Sequence, residues 1–101
     1  MEIEVKITKL TQEDIINILS EGFKRSIWNK NNVLEVTKNL LNEESTTIIN
    51  NRNIKFVLSL YRLYRGIETF IKNGGGVNPS EYNIFDCDDI IQYALFGKVL
   101  Y

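Results

Sequence analysis

The sequence predicts a single α+β domain in which about four helices pack with a small antiparallel sheet, and three observations carry this. Two β-branched or aromatic runs, residues 46–49 and 54–58, flank Asn50-Asn51-Arg52-Asn53, whose residues suit turn conformations, so residues 46–58 read as a hairpin. Apolar residues recur at three-four spacing on both sides of it, as amphipathic helices require. Residues 86–101 are nearly all apolar after an Asp-rich start, and such a segment must lie between neighbours rather than on a surface.

In chain order, Ile3, Val5 and Ile7 alternate with Glu2, Glu4 and Lys6, a period of two that predicts a half-buried strand. Thr11 then caps a helix with Glu13 and Asp14 in its first turn and Ile15, Ile16, Ile18, Leu19 and Phe23 as its stripe; Gly22 weakens the last turn. Residues 23–32 read as a polar loop with two aromatics, ending at Asn32 as the cap of a second helix through Val33, Leu34, Val36, Leu40 and Leu41. Glu43 and Glu44 oppose the helix dipole there and mark a stop.

After the hairpin, Ser59 caps a third helix, expected to be the longest, whose Leu60, Leu63, Tyr64, Ile67, Phe70 and Ile71 face inward. Asn73 and Gly74-Gly75-Gly76 end it and form a flexible connection, because three glycines make helical continuation entropically costly. A turn over residues 77–81 leads to the last helix, for which Asp86 is the expected cap and Gly97 the left-handed terminus. An isolated hairpin is marginal, so a third strand is expected from residues 3–7, from residues 99–101, or from another chain.

A chain of 101 residues supports one modest core and not a second, so residues 1–101 form one domain. Hydrophobic residues at 44% and charged residues at 25% place it among globular proteins. A formal net charge of -1 gives no global field for polyanions, so nucleic acid is not expected to be bound directly, and the balance is too even for mimicry of DNA charge. The acidic opening lacks the basic residues of a secretory signal, no apolar run approaches a membrane span of roughly 18 residues, and the lone Cys87 suits a reducing compartment. A cytoplasmic protein is expected, without a membrane partner.

Zero histidines remove the commonest general base and the commonest transition-metal ligand. Asp86, Asp88 and Asp89 are better explained by the helix start than by a metal, since a helix sets Asp88 and Asp89 about 100° apart. Flanking aspartates raise the pKa of Cys87, which therefore reads as an inert thiol. The three glycines lack the lysine and following helix of a phosphate loop. Neither catalysis nor a cofactor is expected.

Two basic-aromatic stretches remain. Tyr61, Arg62, Tyr64 and Arg65 lie on one helix and either clamp a phosphate or nucleotide base or extend the apolar stripe while the arginines pair with acids. Phe23, Lys24, Arg25, Trp28 and Lys30 either contact a partner or place Trp28 in the core among solvated lysines.

The run Ile91-Gln92-Tyr93-Ala94-Leu95-Phe96-Gly97 behind an Asp-rich start resembles the C-terminal signature of a group of short phage and prophage proteins of low-GC Gram-positive bacteria, a group without an assigned activity. The opening at residues 7–16 and the Arg65-Gly66-Ile67 step are similar more loosely; the chain departs from the pattern in having no glycine after Tyr101 and a shorter, less acidic middle. The resemblance implies a phage setting and supplies no active residues. Together these features lead to a small protein that binds a host protein or protein complex, with inhibition of a bacterial defence system such as CRISPR as the specific expectation. Arg25, Trp28, Arg62 and Arg65 are its first contacts. The alternative is sequestration of a nucleotide signal by Arg62, Arg65 and the tyrosines Tyr61 and Tyr64, at an oligomer interface because one small domain offers little concave volume.

Overall fold

Every helix begins where a polar side chain can close its first turn. The computed structural model describes residues 10–25 and 32–100, and of Arg25 the main chain only. Helix α1 spans Gln12–Arg25, α2 Val33–Leu41, α3 Leu60–Lys72 and α4 Ile84–Phe96; strands β1, Thr46–Ile49, and β2, Lys55–Leu58, separate α2 from α3, and a 3-10 turn at Pro79–Glu81 precedes α4. At α1 the Asp14 N–H donates to Thr11 Oγ1 at 3.0 Å while the Thr11 N–H donates to the Asp14 carboxylate at 3.2 Å. Asn32 Oδ1 accepts from Leu34 and Glu35, and Ser59 Oγ accepts from Arg62. Each cap is worth about 1 kcal/mol.

The fold is α+β as predicted, and several elements differ in detail. The start expected at Asp86 is set by Asn83 instead. The Asn83 side chain accepts from the Asp86 N–H at 2.9 Å and Asp86 accepts from the Asn83 N–H at 3.1 Å, a reciprocal box that brings Ile84 and Phe85 into α4. Phe23 lies on the stripe of α1 as its spacing predicts, Lys24 and Arg25 belong to α1 rather than to the loop, and at 14 residues α1 exceeds the 13 of α3, which was expected to be the longest. Among the described residues the sheet has two antiparallel strands, with Thr47 opposite Val57 and Ile48 opposite Phe56. Val99 and Leu100 form no strand; the Leu100 N–H donates to Gln92 Oε1 at 2.8 Å, so the chain returns along α4 and meets the amide of a fully buried side chain. The strand expected at residues 3–7 lies outside the described residues.

The triglycine segment is a packed loop and not a free connection. Gly75 lies beneath the Phe70 ring so closely that no Cβ fits, Phe70 meets Tyr82 edge-on with centroids 5.3 Å apart, and the Tyr82 hydroxyl donates to the Gly76 carbonyl at 2.8 Å. Conformational freedom is used at Gly74 (φ 94°) and at Gly97 (φ 75°), the predicted left-handed end of α4.

Helix α4 packs against α1 on one side and α3 on the other, burying Cys87, Ile90, Ile91, Gln92, Ala94 and Leu95, as its composition demands. Glycines make this approach possible. A Cβ on Gly66 of α3 would sit 2.6 Å from the Ile90 carbonyl oxygen and 2.9 Å from the Ala94 Cβ, and one on Gly22 of α1 would sit 2.9 Å from the Cys87 carbonyl oxygen. Gly22 therefore serves contact between α1 and α4 rather than marking a weak last turn. The hairpin closes one end of the layer, with Phe56 of β2 edge-on to Phe96 at 4.7 Å.

Replacing Gly66 with alanine tests this contact, because two effects oppose each other. Helix propensity favours alanine by about 1 kcal/mol, whereas forcing a methyl into backbone contact costs about 1–3 kcal/mol. The carbonyl of Ile90 cannot swing aside, so Gly66→Ala is expected to lower the urea midpoint; a raised midpoint would show that α3 and α4 are not this close.

Candidate functional site

Helix α3 divides into two faces. Leu63, Gly66, Ile67 and Phe70 are buried, while Tyr61, Arg62, Arg65 and Lys72 are exposed on the other side. Ser59 fixes the first turn, so Tyr61 and Arg62 stand on a rigid start, and Arg65 follows one turn later at the i+4 and i+3 positions. Tyr61 is 71% exposed, which removes it from the apolar stripe that Tyr64 does join. The Tyr64 hydroxyl accepts the Leu10 N–H at 3.0 Å and ties the entry to α1 onto α3. Arg65 meets Glu68 at 3.7 Å, with both side chains solvated, a pairing worth little and easily given up to a partner.

The structure thus brings Tyr61, Arg62 and Arg65 together on one face and separates Tyr64 from them. Of the second stretch, Arg25 ends α1 with its side chain outside the described residues, and Trp28 and Lys30 also lie outside them. Lys24 points to solvent and pairs with Glu21 at 3.3 Å.

A second surface was not identified from the sequence. Ile16 and Leu34, expected on inward stripes, are 44% and 83% exposed; with Leu41, Ser20, Thr37 and Lys38 they line a cleft of about 480 Å³ between α1 and α2. The signal was present in α2, where Val33, Val36 and Leu40 make one stripe and Leu34 and Leu41, seven residues apart, make another. Leu41 reaches the core in part, whereas Leu34 faces water.

The titrating groups near the core serve the fold. Burial, and then the neighbouring Asp86 charge, pushes the Cys87 thiol up to about 12, and the same two causes push the Tyr82 phenol up to about 12. At neutral pH Cys87 is therefore a protonated, enclosed thiol. Asp86 is engaged in the capping box, and no group of three potential metal ligands occurs among the described residues. No family model, curated protein or solved structure matches the chain.

The two raised pKa values set an alkaline limit on stability. Thiol and phenol are neutral when protonated, so the folded chain keeps protons that the unfolded chain releases. The stability this contributes is complete below about pH 9, the ordinary thiol value, and is lost as pH rises toward 12. Urea midpoints should fall across that window, and Tyr82→Phe with Cys87→Ala should flatten the fall; an unchanged slope in the double variant would assign it to other groups.

Proposed function

We propose that this chain is a small phage or mobile-element protein that acts in the host cytoplasm by binding a host protein or protein complex, and that it inhibits a bacterial defence system of the CRISPR kind. It works as a binder and not as an enzyme. The observation that carries the reading is the outer face of α3, where a 71% exposed tyrosine stands with two exposed arginines on a helix whose opposite face is locked in the core. Tyrosine and arginine are the residue types that dominate interface hot spots, and a preorganised helix loses little entropy when it docks. The similarity of residues 91–97 to the phage signature supports the setting, and no helix among the described residues is long and apolar enough to cross a membrane.

Nucleotide sequestration would use the same residues but receives less support. Small ligands are held with 70–90% of their surface buried, and side chains this exposed offer one wall only, so a second copy would have to supply the other. The clefts along α1 and α2 are lined by different residues.

The test compares the tagged protein with Tyr61→Ala, Arg62→Ala, Arg65→Ala in capture from host lysate, followed by a plasmid-interference assay against a CRISPR-bearing strain. The triple variant should keep its thermal midpoint, because exposed substitutions change stability by about 0.5 kcal/mol or less, while losing both the captured complex and the protection. Capture and protection equal to the parent would remove α3 from the interface; Arg25 and Trp28 form the second pair to substitute.

A further inference from the structure

The end of α3 carries the chain's one asparagine-glycine step, Asn73-Gly74, and its chemistry is independent of the binding face. Both residues are exposed, and open space surrounds the Gly74 Cα, with nothing within 4 Å of where a Cβ would lie. The φ of 94° at Gly74 favours glycine, so the fold itself keeps the least hindered residue after Asn73. We propose that Asn73-Gly74 is a self-modification site, at which the asparagine deamidates without an enzyme and thereby loosens the α3 terminus and the loop packed beneath it.

The step needs only water. The Gly74 nitrogen, giving its proton to solvent base, attacks the Asn73 side-chain carbonyl carbon; the new N–C bond closes a succinimide and the bond to the side-chain nitrogen breaks, releasing ammonia. Water then opens either carbonyl of the ring to give aspartate or isoaspartate. Nothing is oxidised or reduced. In the cap, Asn73 holds ψ at 19° and the Gly74 N–H donates to the Ile71 carbonyl at 3.0 Å, so attack requires this terminal bond to open and ψ to rotate. Terminal turns open at low free energy, which makes the reaction a slow reporter of that opening.

The product opposes the local structure in three ways. The Asn73 amide donates to the Thr69 carbonyl at 2.7 Å, and a carboxylate cannot. Its charge sits against the negative end of the α3 dipole, among the carbonyls of Thr69, Phe70 and Ile71 that the cap now satisfies. Isoaspartate also inserts a methylene two residues before Gly75, whose N–H donates to Phe70 at 2.9 Å and whose Cα lies under the Phe70 ring.

The folded protein is incubated at mildly alkaline pH, with a urea-unfolded sample in parallel, and each asparagine is followed by peptide mapping. Acid should accumulate at residue 73 before any other asparagine in the folded sample, and Asn73→Gln, whose longer side chain closes a less favourable ring, should stop it while keeping the fold. Deamidated protein separated by ion exchange should melt about 2–8 °C lower than the parent, and Asn73→Asp should reproduce the charge-dependent part. An amide that persists in the folded sample after the unfolded one is fully converted overturns the site; an unshifted melting temperature overturns its consequence.

Discussion

The close approach of α4 to two helix backbones governs this molecule. Gly22 and Gly66 lie on different helices, and each removes the side chain that would hold α4 away at Cys87 or at Ile90 and Ala94. A helix as apolar as α4 is stable in water only if most of its circumference is covered, and a chain of this size has few elements with which to cover it. Small residues at both contacts answer that shortage, because they let α1 and α3 reach around α4 instead of standing off it. Burying each large aliphatic side chain is worth about 1.5–3 kcal/mol, so Ile90, Ile91 and Leu95 together outweigh the roughly 1 kcal/mol that each helical glycine costs.

The remaining parts are tied to that three-helix layer by core packing and by a few well-placed contacts. Tyr64 fastens the entry of α1 to α3, Phe96 receives the hairpin through Phe56, and Tyr82 pins the triglycine loop through both its ring and its hydroxyl. With α4 consuming the inner faces of α1 and α3, only outer faces remain for contact. On α3 that face is basic and aromatic; between α1 and α2 it is an apolar cleft. These surfaces differ in chemistry, and on α3 the contact face stands on a helix whose first turn Ser59 fixes and whose back the core holds.

Elements with a local cause were legible from the residues. Thr11, Asn32 and Ser59 each supply an oxygen two or three residues ahead of an unsatisfied amide, Gly97 alone suits a left-handed end, and the asparagines of residues 50–53 suit a turn in which Asn53 takes φ 61°. Tyr61, Arg62, Tyr64 and Arg65 read as one basic-aromatic group; the structure keeps Tyr61, Arg62 and Arg65 exposed on one face and turns Tyr64 to the core, where its hydroxyl accepts the Leu10 N–H. The start of α4 was misplaced because Asn83 and Asp86 act as a pair, and an acidic run draws attention to its own charge rather than to the amide three residues before it.

The sequence by itself determined the four helices, the hairpin and the burial of the last helix, since periodicity, capping chemistry and apolar content act within a few residues of one another; the third strand it called for is not supplied by Val99 and Leu100. Tertiary structure decided what Gly22, Gly66 and Gly75 are for, which tyrosine is structural and which is free to contact a partner, and that Leu34 faces water. Those outcomes depend on distances between segments remote in sequence, and a glycine that breaks a helix has the same local signature as one that lets a second helix in.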